Sequence, residues 1–144
     1  MKPTIAQYLA GASATLMREI APQVDSYGRG HLGAIGAILS FAAREADRAA
    51  DTLAREQDAL RALFADAAEA PFAADLRARL REAAQAPRAS LRVSDLEREN
   101  AALKTLLIEL HEAVEARPDG AELEARIWKI LNDGADARIV GLGQ

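Results

Sequence analysis

The sequence predicts an all-α fold: four to five helices in a bundle built on one long helix, about residues 31–69, with a C-terminal helical hairpin. Three observations predict it. Alanine and leucine, both strong helix formers, fill 34 and 18 of the 144 positions. Apolar residues recur in steps of three and four over long stretches, and prolines and glycines separate those stretches. No alternating, period-two pattern runs for more than a few residues, and no repeat of solenoid length is present.

Thr4-Ile5-Ala6-Gln7 reads as a capping box opening the first helix. Ile5, Leu9, Ala12, Leu16 and Ile20 follow at helical spacing, and Pro22 stops it. Residues 22–30 read as a connection. From His31 to Ala70 there is no proline. Leu32, Ile35, Leu39, Ala42, Ala46, Ala49, Leu53, Leu60, Leu63 and Ala67 form one series, interrupted only by Glu56. As one helix this stretch spans roughly 58 Å at 1.5 Å per residue. Ala42, Ala46 and Ala49 share a face and are expected at a close helix–helix contact. The first helix covers only about half of this length, so other elements must cover the rest.

Pro71 ends the long helix, and a shorter one is expected over 73–86, before Pro87. Ser94-Asp95-Leu96-Glu97 reads as a second capping box, for a helix reaching about Ala116. Pro118-Asp119-Gly120 is a turn. Leu123, Ile127, Ile130 and Leu131 mark a last helix, expected to end at Gly134. The tail from Ala135 carries Ile139, Val140 and Leu142, which either dock or fray. The whole, 1–144, reads as one helical domain, with a subdivision into a long-helix hairpin over 1–70 and a C-terminal hairpin over 88–134.

Composition excludes several function classes. With no cysteine, disulfides, thiolate metal sites and a cysteine nucleophile are out. A net charge of -4 argues against a nucleic-acid partner. The longest strongly apolar run, Leu32 to Ala43, is far shorter than the roughly 20 residues of a membrane span, and no secretory leader is evident. The expectation is a cytoplasmic protein with neither membrane nor nucleic-acid partners.

Gly28-Arg29-Gly30-His31-Leu32-Gly33 matches G-x-G-x-x-G, but without a preceding strand or a βαβ unit the dinucleotide reading fails. Gly28 and Gly30 are expected to make a turn, and Gly33 and Gly36 to allow close packing. A helix N-terminus can still receive an anion, which makes Tyr27, Arg29, Gly30 and His31 a candidate ligand-binding set. The competing account has Asp25 or Ser26 capping that terminus. No metal site is expected: Glu109, His111, Glu112 and Glu115 cluster, but a glutamate-rich solvated face produces such spacings. No nucleophile-plus-base arrangement is present, so no enzyme activity and no cofactor are implied. Arg77, Arg79, Arg81, Arg88 and Arg92 make residues 77–92 basic. Such a face ordinarily pairs with nearby carboxylates, and a docking surface is the alternative.

The most specific pattern covers residues 93–114. Val93, Asn100, Leu107 and Val114 take heptad a positions, and Leu96, Leu103 and Leu110 take d positions. One polar Asn at a, with Leu at d, suits a parallel two-stranded coiled coil. The pairs Arg92–Glu97 and Glu99–Lys104 are complementary in that register. Leu106 and Ile108 widen the face beyond a seam, as a bundle interior requires. The candidate oligomer interface is Val93, Leu96, Asn100, Leu103, Leu107 and Leu110.

Residues Gly30 to Leu53 and Glu97 to His111 (Glu-Arg-Glu-Asn-Ala-Ala-Leu-Lys-Thr-Leu-Leu-Ile-Glu-Leu-His) resemble an uncharacterised bacterial all-α family associated with acyl-CoA metabolism and kinase-like phosphotransferase genes. The resemblance implies an accessory role, or an acyl or coenzyme A-type ligand; it assigns no residue. The expected function is a non-enzymatic interaction or accessory protein that self-associates, as a dimer, and engages a partner protein. The alternative is a bundle binding a small anionic or acyl/coenzyme A-type ligand.

Overall fold

A computed structural model describes residues 2–139. It is all-α, as the composition and periodicity predict. Helix α1 (Ile5–Thr15) runs into a π-helical turn (Leu16–Ile20) and a 3-10 turn (Ala21–Gln23). Then come α2 (Ser26–Ala67), α3 (Ala74–Gln85), α4 (Val93–Glu115) and α5 (Ala121–Arg138). None of these helices is long and apolar enough to cross a membrane. The described chain forms two compact units, residues 2–49 and Ala50–Ile139. The division falls inside α2 and not beside Pro71.

In the first unit the Thr4 capping box forms as expected. The Gln7 backbone donates to Thr4 Oγ1 at 3.2 Å, and the Thr4 backbone donates to Gln7 Oε1 at 2.8 Å. Pro22 sits at the start of the 3-10 turn, where its missing N–H is harmless. The long helix begins five residues earlier than its apolar series suggests. Asp25 is the reason: its Oδ1 accepts the Gly28 N–H at 2.8 Å and its backbone oxygen accepts the Arg29 N–H at 2.9 Å. Gly28 and Gly30 are therefore helical, not turn residues, and no glycine among the described residues has a positive φ. Gly36 packs against the π-helical turn that follows α1, where a Cβ would meet Met17 Sδ at 3.1 Å. Ser13 Oγ donates to the Gly36 carbonyl at 2.9 Å and lies 2.9 Å from Ser40 Oγ. The close-packed face thus runs through Gly36, Ser40 and Ala43. Ala46, expected at a contact, is exposed, with Ala42 and Ala49 half-buried.

The second unit holds a continuous core. Leu60, Leu63, Phe64, Ala67 and Ala68 pack with Leu76 and Leu80 of α3, with Leu103, Leu107, Leu110 and Val114 of α4, and with Ile127 of α5. Arginines close the end of α2: Arg77 Nε donates to the Ala68 carbonyl at 3.0 Å, and Arg81 to the same carbonyl at 3.2 Å. Most of the basic run is paired, as a solvated face would be: Arg79 with Asp75 and Glu109, Arg81 with Glu69, Arg88 with Asp58. The second capping box does not form. Helix α4 starts at Val93, with Arg92 as its cap residue and no side-chain cap, so Ser94 lies inside the first turn. At the turn before α5, a Cβ on Gly120 would stand 2.4 Å from the Val114 carbonyl oxygen, so only glycine fits. Helix α5 continues through Gly134 to Arg138, because that glycine makes room for a buried carboxylate and does not terminate the helix. Ile139 follows it, exposed, while Val140 and Leu142 lie outside the described residues.

Candidate functional site

The two units bury different things. In the first, the buried residues among those described are Ser13, Ala21, Gly36 and Ala43, none larger than serine. Leu9, Leu16, Val24, Leu32 and Leu39 are half-buried, and eight other large apolar side chains are exposed. Ile5, Tyr8, Met17 and Ile20 are exposed on α1 and the turn that continues it; Tyr27, Ile35, Ile38 and Phe41 are exposed on α2. Ile38 keeps 67 % of its surface in solvent and Tyr8 58 %. Ile35, Ile38 and Phe41 recur every third residue, which places them along one side of the helix. A shallow open groove runs along α1 past Thr4, Gln7, Tyr8, Gly11 and Ala12, and a Cβ on Gly11 would meet nothing within 4 Å. Charge is sparse here: from Pro3 to Ala43 the charged residues are Arg18, Glu19, Asp25 and Arg29, two of each sign. The unit thus exposes large apolar side chains on a stretch that, from Pro3 to Ala43, carries no net charge.

The second unit contains a buried polar centre. Glu56, the interruption in the apolar series of α2, leaves only 5 % of its side chain exposed. Asn100 Nδ2 donates to its Oε2 at 2.7 Å, and Lys104 Nζ stands 2.8 Å from Oε1. Arg138 reaches both carboxylate oxygens from α5. Burial alone would push the Glu56 carboxyl up, but hydrogen bonds from Arg138, Lys104 and Asn100 outweigh it and hold it down at about 2. The next residue, Gln57, is fully buried: it donates to the Leu96 carbonyl at 2.8 Å and accepts from Arg88 Nε at 3.3 Å. A cleft of about 340 Å³ adjoins Glu56, between α2 and α5. Its carboxylates are Asp51, Glu56 and Asp133; Arg55 pairs with Asp51 at 3.0 Å and Lys129 with Asp133 at 2.6 Å.

The candidate residues read from sequence fall in both units. Tyr27, Arg29, Gly30 and His31 lie exposed in the first two turns of α2. The Tyr27 and His31 rings stand 4.4 Å apart, and His31 Nδ1 is 3.1 Å from the Tyr27 carbonyl oxygen. The Asp25 carboxylate already occupies the first-turn N–H of Gly28. On α4, Leu96, Asn100, Leu103, Leu107 and Leu110 are all buried within one chain, and Val93 alone of that set is exposed. The heptad seam is closed by this chain's own core, and the Asn100 amide turns to Glu56. Sequence reasoning passed over Glu56 itself, although its signal was present: one carboxylate in a long apolar series has to find partners. Glu124 carries no local signal of its own; the turn at Gly120 brings it to within 4.8 Å of the His111 and Glu115 donor atoms. No known protein family, curated protein or solved structure matches this chain.

Proposed function

We propose that this chain is a non-enzymatic helical interaction protein that self-associates, two copies meeting through the hairpin of α1 and the first half of α2. The observation that carries the reading is the imbalance in the first unit: nothing larger than serine is fully buried, five large apolar side chains are half-buried, and eight are exposed. A two-helix hairpin with so small a core lacks the buried apolar area that stabilises an independent fold. At about 100 Å² each, those side chains offer roughly 800 Å² per chain, the share each partner brings to a standard interface. A second copy suits the surface because the hairpin is net neutral, so it meets itself without like-charge repulsion. The open groove along α1 leaves space at Gly11 and Ala12 for a helix to approach. In the assembled state the charge-rich remainder of each chain is left for a partner protein.

The alternative of a small anionic or acyl ligand has less behind it. The terminus of α2 already carries the Asp25 carboxylate, and the cleft at Glu56 is lined with carboxylates. Sedimentation velocity on the parent chain, Ile38→Asp and Tyr8→Asp tests the proposal. The parent should sediment as a dimer at micromolar concentrations. Each variant should shift to monomer while the second unit, which holds the continuous core, keeps its helical circular dichroism. A parent chain that stays monomeric overturns the reading, as do variants that remain dimeric.

A further inference from the structure

We propose that His111, Glu115 and Glu124 form a site for one zinc-class divalent cation per chain. Helix α4 sets His111 and Glu115 one turn apart on one face. The tight turn at Gly120 folds α5 back so that Glu124 joins them from the second helix. The His111 ring nitrogen and a carboxylate oxygen from each glutamate lie within 4.8 Å of one another. His111 Nε2 is enclosed by protein and has no hydrogen-bond partner; the nearest Glu115 oxygen, at 3.7 Å, is too far to accept its proton. An enclosed, unpartnered ring nitrogen beside two converging carboxylates is costly as a hydrogen-bonding arrangement and suitable as a ligand set.

The chemistry points to zinc and not to magnesium or calcium. Imidazole with two carboxylates is a borderline donor set, whereas magnesium and calcium select oxygen alone. A tetrahedral zinc ion with ligands at about 2.0–2.2 Å sets its donors roughly 3.4 Å apart; here His111 Nε2 and the Glu115 oxygen stand 3.7 Å apart and all three donors lie within 4.8 Å. Rotation of Glu115, 60 % exposed at its side chain, and of the half-buried Glu124 closes the remaining distance. Two carboxylates and a neutral imidazole balance the charge of a dication, and water completes the fourth position. Trp128, the only tryptophan, stands edge-on to the His111 ring with centroids 5.6 Å apart, so the site carries its own reporter.

The test is a zinc titration of the tag-free, chelator-treated full chain, followed by Trp128 fluorescence and by calorimetry. The expected result is a saturable change at one ion per chain in the micromolar range, reversed by chelator and absent with magnesium. His111→Gln and Glu124→Gln should each weaken binding about tenfold or more, in line with the loss of a metal-site group. Glu112→Gln, on the exposed side of the same helix, should bind as the parent does. Glu124→Gln, with its fold checked by circular dichroism, keeps the outcome independent of any packing lost at His111. No heat and no fluorescence change up to millimolar zinc overturns the proposal. So does unchanged affinity in both His111→Gln and Glu124→Gln, which would place the ion elsewhere.

Discussion

Gly134 and Glu56 share one space: a Cβ on Gly134 would lie 2.8 Å from Glu56 Oε1 and 3.1 Å from the Arg138 guanidinium. The glycine in α5 and the carboxylate in α2 are therefore one design feature. Without the glycine the carboxylate could not sit between Lys104 and Arg138; without the carboxylate the glycine would only weaken its helix.

Gly134→Ala tests that coupling. In an ordinary helix interior alanine would be favoured by about 1 kcal/mol. Here the Cβ meets a carboxylate held by three side chains, so the substitution should destabilise the fold by about 1–3 kcal/mol in urea denaturation. In a Glu56→Ala background the clash is gone and Gly134→Ala should become neutral or stabilising. Additive effects in this double-mutant cycle would show that the two residues do not compete.

Glu56 also sets a pH dependence. Its carboxyl is held at about 2 in the folded chain against 4.5 ordinarily. Between those values the unfolded chain binds the extra proton. The stability contributed by Glu56 is whole above about 4.5 and is lost as pH falls toward 2. At about 1.4 kcal/mol per unit, the contribution at neutral pH is on the order of 3–4 kcal/mol. Glu109 and Asp119 are held low as well, by Arg79 and Arg117. They titrate alike in parent and variant, so the informative quantity is a difference. The stability gap between parent and Glu56→Gln should narrow from pH 5 to pH 2. A gap constant across that range would mean that Glu56 does not titrate differently in the two states.

Much of this fold was legible in the sequence, and the reasons it was not all legible are local. The Thr4 box, the stop at Pro71 and the turn at Gly120 rest on backbone chemistry a few residues long, and all three stand in the structure. The long helix was also readable, because its apolar series runs for ten turns. Its starting point was not, because a glycine-rich stretch signals a turn unless the upstream Asp25 cap is weighted above it. Gly134 looked like a helix stop for the same reason; its actual role depends on a residue 78 positions earlier in the chain. Ala46 shows a further limit. Periodicity says which residues share a face, but not which neighbour is long enough to reach that face. The Asn100 seam is a heptad pattern, and a heptad reads the same whether the opposing helix belongs to this chain or another.

Leu103 separates those two origins of the seam. It is 6 % exposed in a single chain and packs in the core that joins α2, α3, α4 and α5. An aspartate there would bury a carboxylate without a partner, which costs several kcal/mol even after its pKa has risen to neutralise it. Leu103→Asp should therefore unfold the second unit, with loss of helical signal and of the Trp128 environment, at every protein concentration. Ile38→Asp makes the contrast. Its position is already in water, so the charge costs the isolated chain little and acts only where a second copy covers it. The two variants should thus fail in different ways, Leu103→Asp by unfolding and Ile38→Asp by dissociating. If Leu103→Asp instead yields a folded monomer, the seam on α4 is the contact between chains, and the hairpin surface is not.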